Sequence, residues 1–330
     1  MKPNAHLVSV IIPNFNRGDY LKQALQSVVY QTYPYWEALV VDDGSTDGSK
    51  EEVCQIVNNE QRIKWMDRNR TPKGAATCRN MGIEQAQGEF IVFLDSDDLL
   101  APHCLEQRLQ IMQSHPDLDF AVFKMQFFKE QPGDDPRLWN LENETKPLQR
   151  FLNLDSVWQT SGPIWKASAV KKLDGFNEKL QCWQDFDIHL KALLANLNYD
   201  IRYDLPIDSY YRKEAKETIS QSNMNSLPKL KSKAELYNWV KPLAQKQGCQ
   251  TDNMLHQILI SALNGHQIQF FDDLYQQEKQ SIPSHVKRKL NSLKWIKKSR
   301  LDRLAYFKKN YQQLVQSCVQ ESSIGQFKEI

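Results

Sequence analysis

Four short apolar runs lie in the first hundred residues, each ending in a polar exit that leads toward a helical pattern. No other feature constrains this chain as much. LVSVII (7–12) stops at Pro13, WEALVV (36–41) at Asp42, the weaker RIKWM (62–66) at Asp67, and FIVFL (90–94) at Asp95. Between them lie YLKQALQSVVYQ (20–31), STDGSKEEVCQIV (45–57) and GAATCRNMGIEQA (74–86). These segments have helical apolar spacing or open on capping residues. Strands that are apolar nearly throughout must be covered on both faces, and strand–helix alternation provides the cover. The expected fold class is therefore α/β, a mostly parallel sheet flanked by helices. Ligands of such sheets sit beyond the carboxyl ends of the strands. PNFNR, DDGSTD and DSDD should then open on one common edge.

The pattern continues with a helix at 103–113, a strand over DFAVFKMQFF (119–128) and a surface loop at 131–148 rich in Pro, Asp, Glu and Asn. SVWQTSGPIWKASAV (156–170) turns from extended to helical near Lys166. A helix follows over 183–197, then an extended stretch at 201–212. From about residue 226 the chain becomes Lys/Gln/Leu-rich and helical. That change divides it into 1–225 and a helical C-terminal region, 226–330.

Composition narrows the class. The content is 41% hydrophobic and 25% charged, ordinary for a globular protein. The six cysteines are scattered without a CxxC pair, which argues against a disulfide framework or a zinc site and for reduced thiols. The first apolar stretch is only six residues long, too short for a secretory signal. No run approaches the roughly 20 apolar residues that span a bilayer. A cytoplasmic location is expected.

Charge is concentrated at one place. Residues 287–309 hold ten Lys/Arg and one Asp, a local net of +9. Interleaved with them are Leu290, Leu293, Ile296, Leu301, Leu304 and Phe307. A basic amphipathic helix here either packs on the catalytic domain or lies peripherally on the inner, anionic membrane face. Nucleic acid is not an expected partner, since no recognition module accompanies the charge.

The chemistry sits at the strand exits. Asp95, Asp97 and Asp98 fall within four positions and repel one another unless a cation or donors neutralise them. One carboxylate of a D-x-D turn can reach Mg²⁺ or Mn²⁺ while the other takes a ribose hydroxyl. The same residues could equally cap the next helix. In VVDDGSTDGS (40–49), a strand–turn–helix corner explains Gly44 to Asp47 but not two adjacent carboxylates. Asp43, more than Asp42, suits a uracil ring N–H or a ribose hydroxyl. Phe15 can stack on a base or simply belong to a loop. Arg79 can hold Asp95, a phosphate or a surface partner, and DRNRTPKG approaches a nucleotide or is solvated. Asp185 and Asp187, at a helix start, suit a general base or dipole stabilisation.

Taken together, VSVIIPNFNR, VVDDGSTDGS, GAATCRNMGIEQAQGEFIVFLDSDD and WQDFD resemble the family 2 glycosyltransferases of the GT-A fold, in order and spacing, over roughly residues 7–212. The resemblance implies an inverting transferase of cell-surface polysaccharide or glycolipid synthesis, with a Rossmann-like GT-A sheet. It would take a nucleotide-diphosphate sugar, commonly a UDP-sugar, and use Mn²⁺ or Mg²⁺. By position, Pro13 and Phe15 would lie against the nucleoside, Asp43 would bind uracil, Asp95 the ribose and Asp97 the metal. Asp185 would be the catalytic base. The acceptor would be a saccharide or a lipid-linked sugar. The family often has Glu-Asp where this chain has Gln184-Asp185, so Gln184 would hydrogen-bond the acceptor. TSGPIWK (160–166) resembles the acceptor-side loop, which would put Trp165 near the acceptor. Two rivals are a sugar-nucleotide-binding relative without turnover and a nucleotidyltransferase. PNFNRGDY lacks the Gly-rich basic loop of the latter.

Overall fold

The computed structural model describes residues 6–139, 141–213, 224–299 and 305–319. The first half follows the expected alternation: β1 (Val8–Asn14), α1 (Gly18–Val29), β2 (Trp36–Asp42), α2 (Ser49–Asn59), β3 (Ile63–Asp67), α3 (Ala75–Gln85) and β4 (Phe90–Phe93). β1 pairs in parallel with both β2 and β4, and β2 in parallel with β3. The strand order therefore reverses at β1, with β2 and β3 on one side and β4 on the other. This is the switch point at which such sheets open a crevice. Asn14 is level with Asp42, and Ile11 with Phe93, so the three polar exits share one edge.

Every residue of β1, β2 and β4 is buried. The two polar groups inside them, away from the exits, are satisfied by each other. Ser9 Oγ donates to Glu37 Oε1 at 2.8 Å and accepts from Gly88 N, while Lys64 reaches Glu37 at 2.9 Å. The pairing removes the penalty of burying unpaired polar atoms in central strands.

The second half adds β5 (Leu99–Leu100), α4 (Cys104–Ser114), β6 (Phe120–Phe123), β7 (Met125–Phe128), α5 (Pro147–Leu152), β8 (Pro163–Lys166), α6 (Ala167–Lys172), α7 (Gln184–Leu194), β9 (Tyr199–Arg202) and β10 (Ser209–Arg212). The main sheet has the order β3-β2-β1-β4-β8-β6-β9, with β8 antiparallel to both its neighbours. Residues 119–128, expected as one strand, form two. β6 is buried throughout and stays in the main sheet. β7 joins a second sheet, β5-β10-β7. Lys124 lies between them; its charge cannot be carried unpaired through a covered sheet, so the chain leaves the sheet there.

The two sheets are locked by a buried ion pair. Arg108 of α4 and Asp208 just before β10 are both fully buried. Nε and Nη2 of Arg108 donate to the two Asp208 oxygens at 2.8 Å each, and Nη1 and Nη2 also reach Ser161 O and Ser209 Oγ.

After Arg212 every element described is a helix: α8 (Leu227–Lys246), α9 (Asp252–Asn264), α10 (Ile268–Glu278), α11 (Ser284–Lys298) and α12 (Ala305–Val319). α8 packs on α7, and α9 is touched by α8, α10, α11 and α12. One apolar cluster runs from Ile11 and Leu39 of the sheet through Leu230 to Leu290. Of the apolar positions expected on a basic amphipathic helix, Leu290, Leu293 and Ile296 are buried in this cluster. Leu301 and Leu304 lie outside the described residues, as does the Phe307 side chain. Among the described residues no helix is long and apolar enough to cross a membrane. All six cysteines are free thiols.

Removing one partner of a buried pair strands the other charge. Asp208→Ala is expected to destabilise the protein by about 3–5 kcal/mol in urea unfolding. The double change Arg108→Met with Asp208→Leu should be milder than either single change. A single-variant loss below about 1 kcal/mol would show that the pair does not join the sheets.

Candidate functional site

Asp42 and Asp43, adjacent in sequence, have different work. Asp42 accepts from Asn14 Nδ2 at 2.8 Å, from Gly44 N and Ser45 N, and from Ser45 Oγ. All its capacity is spent holding the turn, so Asp42 is the structural member. Asp43 faces the loop 68–74 instead. Arg68 Nε sits 2.5 Å from its Oδ1, and Gly74 N donates to the same oxygen at 3.2 Å. Gly74 has φ +142 and opens α3, a conformation that an L side chain rarely adopts.

On the neighbouring exit, Phe15 follows Asn14 and keeps 43% of its surface exposed. Lys73 Nζ lies 3.5 Å from the centre of its ring. Pro13 is buried within β1. Loop 68–74 thus reaches across both residues expected to meet a nucleoside.

The DSDD turn divides its carboxylates. Asp98 is buried, and its oxygens accept from Ser161 Oγ at 3.0 Å and Arg212 N at 3.1 Å. Arg212 also donates through Nε to the Asp97 carbonyl and through Nη2 to Gln23. Asp98 and Arg212 therefore fix the turn's backbone. Asp95 and Asp97 keep 28% and 23% of their side chains exposed. Among the described residues, the cation paired with the Asp97 carboxylate is Arg17, with Nε at 3.9 Å. Burial, then the Asp95 charge, pushes Asp97 up to about 6. Burial and the charges of Asp97 and Asp95 push Asp98 up as well. Negative charge at this turn is under-compensated by the protein.

Arg79 joins the turn to α7. It is buried, and it donates to Asp95 at 2.6 Å while standing 3.6 Å from Asp185. Asp185 lies in the first turn of α7 with 36% of its side chain exposed. Asp187, two residues on, is fully buried and paired with Lys191 at 2.8 Å. α3 can bring Arg79 this close because Gly82, one turn further, rests directly on β1. A Cβ there would overlap Ile11.

Two expected acceptor contacts are placed differently. Trp165 is 1% exposed, stacks on Phe120 at 4.2 Å and lies parallel to His189. It is a core residue with no surface to offer an acceptor: β8 runs antiparallel to β4, so Trp165 lies level with Ile91, back from the ligand edge. Its segment serves the site through Ser161 instead, which accepts from Asp95 N and donates to Asp98. Gln184 donates to Leu180 O at 2.7 Å, so its amide holds the start of α7. Sequence reasoning missed Arg17, Ser161 and Arg212. Arg17 closes PNFNR and Ser161 lies in TSGPIWK, but nothing in either segment marks these residues, and only the fold brings all three to the turn.

Oxygen donors suit Mg²⁺ or Mn²⁺, which accept one or two carboxylates and complete their shell with phosphates and water. Asp97 is an open carboxylate in surplus negative charge and fits that role. Among the described residues no set of three or more His, Cys, Asp or Glu could hold an ion by itself. The remaining ligands would come from substrate and water. A groove of about 650 Å³ lies far along the chain, on Asn264, Lys297 and Tyr311.

Comparison with known proteins points to one family. Residues 9–170 match the model of Glycosyl transferase family 2. The putative teichuronic acid biosynthesis glycosyltransferase TuaG of Bacillus subtilis is 42% identical over 108 residues, 32% of this chain and 42% of TuaG. The Escherichia coli UDP-Glc:alpha-D-GlcNAc-diphosphoundecaprenol beta-1,3-glucosyltransferase WfgD is 40% identical over 107 residues, 32% of this chain and 41% of WfgD. The matches thus span under half the length of these curated relatives. Staphylococcus aureus TarS 1-349, solved with UDP-GlcNAc, superposes with a TM-score of 0.62 at 22% identity, over 98% of this chain and 97% of its own. At that identity the likeness is one of fold.

The raised Asp97 carboxyl makes a pH prediction. Its folded value, about 6, exceeds its ordinary 3.8, so folding favours the protonated form. Its ionised form therefore destabilises the folded state progressively as pH rises from about 4, in full above about 6. In EDTA, thermal midpoints are expected to fall between pH 5 and 7.5, and Asp97→Asn to flatten that fall. Identical slopes in the two proteins would mean that the carboxylate is not under-compensated.

Proposed function

Through residues 9–170 the chain belongs to glycosyl transferase family 2, and on that premise we propose that it moves a sugar from a UDP-sugar to an acceptor hydroxyl, with inversion, in the synthesis of a cell-surface polysaccharide. The observation that carries the reading is the ion-paired line from Asp95 through Arg79 to Asp185. It sets a half-exposed carboxylate on α7 opposite the carboxylates of the switch-point crevice. TuaG, named for teichuronic acid biosynthesis, supports the polysaccharide setting; WfgD, and TarS solved with UDP-GlcNAc, support the UDP-sugar.

In this reading Pro13 and Phe15 line the nucleoside site, Asp43 accepts the ring N–H and Asp95 a ribose hydroxyl. Asp97 holds the divalent cation, which when bound neutralises charge on the departing nucleotide diphosphate. Asp185 takes the proton of the acceptor hydroxyl as that oxygen forms its bond to C1. The C1–phosphate oxygen bond breaks on the opposite face, and the electron pair leaves with the diphosphate. Arg79 keeps Asp185 turned toward the crevice. A positioned base is commonly worth 10²–10⁴-fold. Gln184 steadies the helix start, and the acceptor is a saccharide, free or lipid-linked. Residues 1–225 form the catalytic unit, with 226–330 as a helical buttress on α7.

Asp185→Asn is expected to lower transfer by about 100-fold or more while UDP affinity stays within about twofold. Full turnover in that variant removes Asp185 from the mechanism. Lost turnover together with lost UDP binding assigns it to donor binding instead.

The exposed face of α11 presents Arg288, Trp295 and Lys298, and Trp295 keeps 60% of its surface. We propose this face as a peripheral contact with anionic lipid. Recovery with phosphatidylglycerol vesicles should fall on Arg288→Glu with Trp295→Ser; equal recovery excludes the contact.

A further inference from the structure

Loop 68–74 carries three basic residues, and their backbone is pinned. Arg68 donates to Asp43 and to the Arg70 carbonyl. Arg70 pairs with Glu178 at 2.7 Å and with Glu84 at 2.8 Å. Thr77 Oγ1 donates to Pro72 O at 2.7 Å, and Gly74 N to Asp43. The loop is therefore tied at Arg68, Arg70, Pro72 and Gly74.

Lys73 is the exception. Its side chain is exposed, and among the described residues no carboxylate pairs with it, although Asp43, Asp95 and Asp97 line the same edge. Its ammonium rests on the Phe15 ring at 3.5 Å. An exposed cation–π contact is worth only about 0.5–1 kcal/mol. A planar base stacking on that face of Phe15 would take the same space and evict the ammonium. Because the backbone is held on both sides of position 73, eviction is a side-chain rotation and needs no loop opening. The freed ammonium remains at the start of α3, where the helix N-terminus already favours an anion.

We propose that Lys73 is a phosphate-binding residue of the donor site, parked on Phe15 until a nucleobase takes its place. The inference rests on the proposed function, in which Phe15 and Asp43 receive the nucleoside. It adds that binding the base delivers a cation to the diphosphate. Base and diphosphate then bind with positive coupling through one side chain. A nucleoside without phosphate evicts Lys73 and gains no contact in return.

The test compares uridine and UDP, each with Mn²⁺, by calorimetric titration of the full chain and of Lys73→Ala and Lys73→Arg. Lys73→Ala is expected to weaken UDP about tenfold while leaving uridine unchanged or severalfold tighter. Lys73→Arg should recover most of the UDP affinity, since a charge-assisted contact to phosphate survives. Raising the salt should shrink the gap between UDP and uridine in the parent protein more than in Lys73→Ala. If Lys73→Ala changes both ligands by one factor, or leaves UDP untouched, the phosphate role is overturned. Phe15→Ala separates the two readings. If it leaves uridine affinity intact, the nucleoside placement itself is wrong, and the proposal falls with it.

Discussion

The ion pair between Arg108 and Asp208 is the constraint on which the rest of the architecture depends. It is fully buried, so it is stable only if both partners are present and every donor is used. Arg108 meets that condition by reaching at once the residue before β10, the carbonyl of Ser161 ahead of β8, and Ser209. A helix, the second sheet and the lead-in to the antiparallel strand are thereby fixed to one guanidinium. That fixation has a chemical result. Ser161 is held where it can accept from Asp95 N and donate to Asp98, and β10 is held where Arg212 can grip the Asp97 carbonyl. The carboxylate turn is rigid because a buried pair elsewhere leaves it no room.

Rigidity there has an electrostatic purpose. Burial, and after it the charge of neighbouring carboxylates, raises a carboxyl's proton affinity, which is why Asp97 and Asp98 are pushed upward. The fold separates two remedies. Asp98 is buried and satisfied by hydrogen-bond donors, and it holds the backbone. Asp97 is left partly open, and among the described residues its paired cation, Arg17, stands at 3.9 Å. The unsatisfied share of charge is the protein's side of an ionic contact to be completed by something that arrives.

How much of this could be read in advance differs by residue. The parallel sheet and the common edge were legible, because β1, β2 and β4 are covered on both faces and must therefore be apolar throughout. Asp43, Asp95, Asp97 and Asp185 were marked by sitting just after apolar runs or at a helix start. Trp165 was misplaced because an apolar run does not reveal which way its strand runs, and β8 is antiparallel. The division at Lys124 was likewise invisible, since a single charge in an apolar run interrupts a strand only if the sheet is covered there. Arg17 and Ser161 sit in segments the sequence marks, but nothing local singles them out, and Arg212 lies in no marked segment. They reach the turn through contacts made 66 to 115 residues away in sequence, or by the chance of a neighbouring exit.

α3 and the glycine that opens it join three of the site's carboxylates through one rigid body. Gly74 at its start contacts Asp43, Arg79 contacts Asp95 and Asp185, and Gly82 seats it against β1. The helix therefore acts as a ruler. From Gly74 to Arg79 it advances five residues, about 7.5 Å along its axis, and because Gly82 admits no larger residue the ruler cannot slide. The separation between the Asp43 end and the Asp185 end of the crevice is thus written into the helix rise. Loops around the edge can change the shape of what fits there, but the spacing between its two ends is not theirs to alter.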